Sequence, residues 1–137
     1  MCIRDSNIAP DAIDVHDPDG LLGHVCYHPE VHRELKSVME WGFIDVFRLH
    51  HKESGQYTFW PASTRLMRGG RGLVVGKADG GDYRPLNAVK KNLGWRLDHI
   101  MATKPLSEKS IACYIDKAPR LLPRPSDHTP IIAEFNL

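Results

Sequence analysis

The stretch that most restricts how this chain can fold is Trp95 to Ala102, which reads Trp, Arg, Leu, Asp, His, Ile, Met, Ala. Its alternation is that of a β-strand, with Leu97, His99 and Met101 on one face and Arg96, Asp98 and Ile100 on the other. An aspartate among apolar neighbours in a strand is costly unless another group pairs with it. Any fold that contains this strand must therefore bring a partner to Asp98.

A second constraint lies near the C-terminus. Ser126, Asp127, His128, Thr129 and Pro130 form a turn after Pro125, and the apolar run Ile131 to Phe135 reads as a strand that fixes the turn against a core. A carboxylate next to an imidazole can hold a metal, orient a water or tune a proton acceptor near neutral pH, provided the backbone keeps both groups still.

The rest of the chain divides into short elements. Pro29 opens a helix whose apolar stripe, Leu35, Val38, Met39 and Trp41, stops at Gly42. Phe43–Phe47, Tyr57–Trp60 and Ile111–Ile115 read as short strands, and Ser107–Lys109 as a helical turn. Residues 11 to 27 are loop-like, punctuated by Asp14, Asp17, Pro18, Asp19 and Gly20. Met1 to Ser6 offers no strand ahead of Asp5 and Asn7. Residues 61 to 81 interleave Arg65, Arg68, Arg71 and Lys77 with six glycines and read as a basic loop, longer than most inside a compact domain.

Several function classes are excluded. A length of 137 residues suits one domain. Three widely spaced cysteines, Cys2, Cys26 and Cys113, argue against a disulfide scaffold or a zinc ribbon and fit a reducing compartment. A net charge of +1 gives no global pull on nucleic acid, so any basic surface must be local. No apolar run approaches the roughly 20 residues of a membrane span and no signal-peptide pattern is present, so the expected location is the cytoplasm. His24, His28 and His32 have helical spacing, but Pro29 interrupts a continuous helix through them, which favours a solvated helix start over a metal site. Gly72 to Lys77 lacks both a glycine and the hydroxyl that a phosphate loop needs.

Three acid-bearing places remain: Asp5 with Asn7, Asp98, and Asp127 with His128. Phosphodiester hydrolysis needs a cation to offset charge, donors on the phosphoryl oxygens and a group to orient water, and these residue types cover those needs. Each place taken alone is equally a surface or capping position. Read in order, Asn7-Ile8-Ala9-Pro10 with Asp14, Tyr57-Thr58-Phe59-Trp60, Gly94-Trp95-Arg96-Leu97-Asp98 and Ser126-Asp127-His128-Thr129-Pro130 resemble the C-terminal half of the exonuclease III family of apurinic/apyrimidinic endonucleases, within the endonuclease/exonuclease/phosphatase superfamily. The resemblance spans nearly the whole chain apart from the first residues and the 61–81 segment.

The resemblance implies an α/β fold, half of a four-layered sandwich of the deoxyribonuclease I type, with one mixed sheet and covering helices over residues 1–137. It implies a DNA-repair nuclease dependent on Mg²⁺ or Mn²⁺, acting on double-stranded DNA at abasic sites and 3′ ends. Asp5 and Asn7 match the family's water-positioning aspartate and phosphate-binding asparagine, although Arg4 and Ser6 stand where its motif has glycine and phenylalanine. Asp98 matches the acid that orients the catalytic histidine, His128 that histidine, and Asp127 an acid of the metal site. Phe59, Trp95 and Leu97 match a pocket for the extruded abasic sugar. The family's metal-binding glutamate, an early asparagine and a catalytic tyrosine have no counterpart here, so the chain alone is expected to be inactive, with an apolar face that promotes self-association; the parent is expected to be a monomer. The alternatives are a non-catalytic nucleic-acid-binding fragment that uses the 61–81 arginines, or a superfamily phosphodiesterase with another substrate.

Overall fold

Short elements with few local hydrogen bonds must borrow stability from their neighbours. Six residues, Asp98–Thr103, form the strand that lends most of it. In a computed structural model, which describes residues 1–61 and 86–137, this strand lies between two others in an antiparallel sheet. The elements are β1 (Cys2–Asp5), α1 (Pro18–Leu21), α2 (Pro29–Met39), β2 (Phe43–Asp45), α3 (Val46–His50), α4 (Leu86–Lys90), β3 (Asp98–Thr103), α5 (Lys104–Ser107), β4 (Ser110–Ile115) and β5 (Ile131–Phe135). β1 and β2 flank β3, while β4 and β5 pair in a second, two-stranded sheet. The expected α/β class is present. Among the described residues the pairing is antiparallel throughout and is divided between these two small sheets.

The two sheets meet through side chains. Val46 and Phe47 of α3, Ile100 and Ala102 of β3 and Cys113 of β4 form one buried cluster, with Ile131, Ala133 and Phe135 of β5 packed against it. Burial of a Phe47-sized side chain contributes about 1.5–3 kcal/mol. A second cluster joins Ala9, Val15, Leu21 and Tyr27 to Trp95 and Leu97, and so ties the loop after β1 to the approach to β3. A third holds Tyr57, Trp60 and Ala88.

α2 begins where Pro29 predicts. His28 is its N-cap and accepts a hydrogen bond from the amide of Glu30, so this histidine ends a helix rather than joining a metal site. Four expectations change. Cys2–Asp5 is a strand, because β3 supplies the hydrogen bonds that four residues cannot specify by their own pattern. Only Phe43–Asp45 of the 43–47 run is strand. The Asp45 side chain accepts from the amides of Phe47 and Arg48 and starts α3 there. Tyr57–Trp60 bends at Thr58 and joins its neighbours by isolated bridges from Phe59 to Trp95 and to His128, not as a regular strand. The alternation that set Arg96 beside Asp98 holds only from Asp98 onward. Arg96 is fully buried and donates to His99, on the face opposite Asp98.

The basic segment expected over 61–81 falls, apart from Pro61, outside the described residues. Among those described, no helix is long and apolar enough to cross a membrane.

Candidate active site

Register sets the first contact. Asp5 lies directly opposite Asp98 in the β1–β3 pair, which puts both carboxylates on one face of the sheet. His128 reaches that face from its turn because Phe59 bridges it to Trp95. The amide of Thr129 donates to the Thr58 carbonyl at 2.8 Å, and the amide of Trp60 donates to the Asp127 carbonyl at 3.0 Å. Thr58 is fully buried, and its hydroxyl oxygen accepts from the amides of Leu97 at 3.0 Å and Asp98 at 3.1 Å. One residue therefore pins both the start of β3 and the turn that carries His128.

The result is a paired acid and imidazole. His128 Nδ1 lies 2.9 Å from Asp98 Oδ2, and His128 Nε2 lies 3.8 Å from Asp5 Oδ2. With the carboxylate as acceptor, Nδ1 carries a proton and Nε2 faces Asp5 and solvent. The Asp98 hydrogen bond raises the His128 pKa above its usual 6.5; partial burial opposes this, and the charges of Asp98, Asp5 and Asp127 reinforce it. Asp5 Oδ1 accepts from the Asn7 amide at 3.0 Å, which leaves the Asn7 side chain exposed on a residue with φ of 52°.

The pocket residues divide. The Phe59 ring lies 5.0 Å from the His128 ring and 5.8 Å from the Trp95 ring and keeps accessible surface. Trp95 and Leu97 are each 1% exposed and are core residues that support Phe59 from beneath. Gly94 has a packing reason to be glycine: a Cβ there would lie 2.6 Å from Trp60 Nε1 and 2.8 Å from the Phe59 carbonyl oxygen.

Ligand atoms of Asp5, Asp98 and His128 all lie within 4.8 Å of one another. Asp98 and His128 already satisfy each other, which leaves the exposed carboxylate of Asp5 as the free oxygen donor of this group. Oxygen donors of this kind fit Mg²⁺ or Mn²⁺, and Mg²⁺ is commonly held by one or two carboxylates with waters completing its shell. Asp127 lies outside the three-residue cluster.

Residues 5–128 match the endonuclease/exonuclease/phosphatase family. The chain belongs to this family. It is 31% identical over 128 residues to the DNA repair nuclease APEX1 of Danio rerio, covering 93% of this chain and 33% of that protein. It is 26% identical over 141 residues to exodeoxyribonuclease III of Haemophilus influenzae, covering 98% of this chain and 45% of that protein. The solved AP endonuclease from Archaeoglobus fulgidus superposes with a TM-score of 0.79 at 41% identity, covering 98% of this chain and 44% of that structure. The chain thus spans between a third and a half of the length of these relatives, and it shares the AP endonuclease fold over that span.

Sequence reasoning within this family singled out the acid and imidazole pair but gave no role to Thr58 or to the residues behind β3. A β-branched hydroxyl set between Tyr57 and Phe59 was the available signal for Thr58. Behind β3 lies a buried charge network. Arg96 Nε donates to Asp14 Oδ1 at 2.5 Å and Arg96 Nη2 lies 2.7 Å from Asp45 Oδ2; Arg48 also pairs with Asp14. Arg96 and Asp14 are 82 residues apart, and no local pattern announces such a pair.

Proposed function

We propose that the full-length protein is a DNA-repair nuclease that uses this face to hydrolyse phosphodiesters 5′ to abasic sites and to trim 3′ ends. The observation that carries the reading is the Asp98–His128 pair at 2.9 Å, set on the same face as Asp5 in a chain of this family. The name DNA repair nuclease of the zebrafish relative supports DNA as the substrate.

Each residue has work suited to its chemistry. Asp98 fixes the imidazole with Nδ1 inward, so that Nε2 is presented to a phosphoryl oxygen or to the attacking water. The raised pKa favours the imidazolium, whose charge offsets that of the phosphate. Asp5, 3.8 Å from Nε2, positions the water on the same face. The Asn7 side chain donates to a non-bridging phosphate oxygen. Phe59 packs against the extruded sugar, with Trp95 and Leu97 holding it in place; a normal base on that sugar would clash. Asp127, exposed next to His128, would hold Mg²⁺ or Mn²⁺, which would supply positive charge at the phosphate.

The test is cleavage of a duplex with a single abasic site by the full-length protein. His128→Ala should reduce the rate by about 10²–10⁴-fold. Unchanged cleavage would overturn the proposal.

A further inference from the structure

We infer that His99, buried behind β3, is a positioning residue for Asn7: it holds the Ile8 carbonyl and thereby fixes the backbone that aims the Asn7 side chain. The inference rests on the reading of Asn7 as a phosphate ligand.

Asn7 needs to be held. Its φ of 52° lies in the left-handed region, which asparagine tolerates better than most residues but which still costs about 1 kcal/mol. Two of the hydrogen bonds that stabilise it are local: the Asn7 amide to Asp5 Oδ1 at 3.0 Å and the Ile8 amide to Ser6 Oγ at 3.2 Å. Asp5 belongs to β1 opposite Asp98, and Ser6 donates from both its amide and its hydroxyl to the Leu97 carbonyl at 3.1 Å, so the near end of the loop is held on the sheet. The Ala9 amide is tied to the Cys26 carbonyl at 2.8 Å, which anchors the far end of the loop to another loop.

What fixes the peptide after Asn7 is a side chain of β3. His99 Nε2 donates to the Ile8 carbonyl at 2.9 Å across 91 residues of sequence, and His99 is 1% exposed. Its proton placement is dictated by its other neighbour. Arg96 Nη1 lies 2.9 Å from His99 Nδ1, and a guanidinium can only donate, so Nδ1 must accept and Nε2 must carry the proton. Arg96 is itself fixed by Asp14 and Asp45. The chain of contacts runs from a buried ion network through one imidazole to the peptide that follows Asn7.

A buried cluster of this kind is not explained by stability alone. Desolvation of two carboxylates and a guanidinium offsets most of their attraction, and apolar replacements of similar volume are often as stable. Orientation of a functional loop is a role that an apolar core could not fill, because it offers no donor to the Ile8 carbonyl.

Two substitutions separate positioning from packing. His99→Asn keeps a polar atom near the Nδ1 position for Arg96 but is too short to reach Ile8. His99→Gln extends an amide to the Nε2 position and keeps the donor. In the full-length protein, His99→Asn should lower kcat for abasic-site cleavage by about 10-fold while His99→Gln stays within about 2–3-fold of the parent, with the two variants matched in melting temperature. In an Asn7→Ala background the difference between them should vanish. Equal rates for the two variants, or the same ratio with and without Asn7, would overturn the inference and leave the role of Asn7 intact. An Asn7→Ala protein as active as the parent would instead remove the phosphate-ligand reading, and the inference with it.

Discussion

Successive residues of β3 face two different environments, and the same side-chain type behaves oppositely in each. On the outer face, Asp98 grips His128, which is partly exposed and whose pKa is raised by that hydrogen bond. On the inner face, His99 is buried beside Arg96, and desolvation followed by the guanidinium charge lowers its pKa. The carboxylate partner favours imidazolium and the guanidinium partner favours imidazole. The surroundings of this strand thus push one histidine, His128, toward its charged form and the other, His99, toward its neutral form. The direction of each shift follows from the surroundings: the Asp98 hydrogen bond for His128, burial and then the Arg96 charge for His99.

The strongest test of the outer face is Asp98→Asn. Loss of the carboxylate should reduce abasic-site cleavage by about 10²–10⁴-fold and return the His128 pKa toward 6.5, as read by NMR titration of its ring protons. A His128 pKa that does not move would break the contrast. The corresponding test of the inner face is Arg96→Met, which leaves Asp14 and Asp45 buried without their shared partner. It should destabilise the protein by about 3–5 kcal/mol in urea unfolding. A smaller loss would mean that Arg48 and the Phe47 and Arg48 amides are sufficient compensation.

Gly94 lies ahead of β3, against Trp60 and the Phe59 carbonyl. Gly94→Ala must displace Trp60 or the Phe59 carbonyl and should cost about 1–3 kcal/mol, again by urea unfolding. The smallest effects are in pH dependence. His128, raised above 6.5, contributes stability that is present below that pH and is lost as pH rises through its folded value. His99, lowered below 6.5, contributes stability that is present above that pH and is lost as pH falls toward its folded value. Replacing each histidine in turn should therefore flatten opposite flanks of the stability–pH curve; flattening of the same flank by both would contradict the contrast.

The legible parts of the molecule were those carried by contiguous residues. Asp98 within an apolar strand demanded a partner, and His128 in its turn after Pro125 is that partner. The start of α2 followed from Pro29. β1 was not legible, since four residues without alternation become a strand only when β3 lies beside them. The inner network was equally hidden: Asp14 read as a turn residue, Asp45 as part of a strand and Arg96 as a neighbour of Asp98. Their meeting depends on contacts across 82 residues and on the sheet that brings them together. Asp45 carried a usable signal, an aspartate ahead of a possible helix start, which was masked by the β-rich letters around it.

Thr58 gives the site a property that concerns time rather than shape. Because its hydroxyl holds the amides of Leu97 and Asp98 and its carbonyl holds the amide of Thr129, Asp98 and His128 are fastened to one buried point. Their spacing is built into the fold, which would lower the reorganisation needed on binding the proposed phosphodiester. These three amides should accordingly exchange their protons with solvent slowly and together.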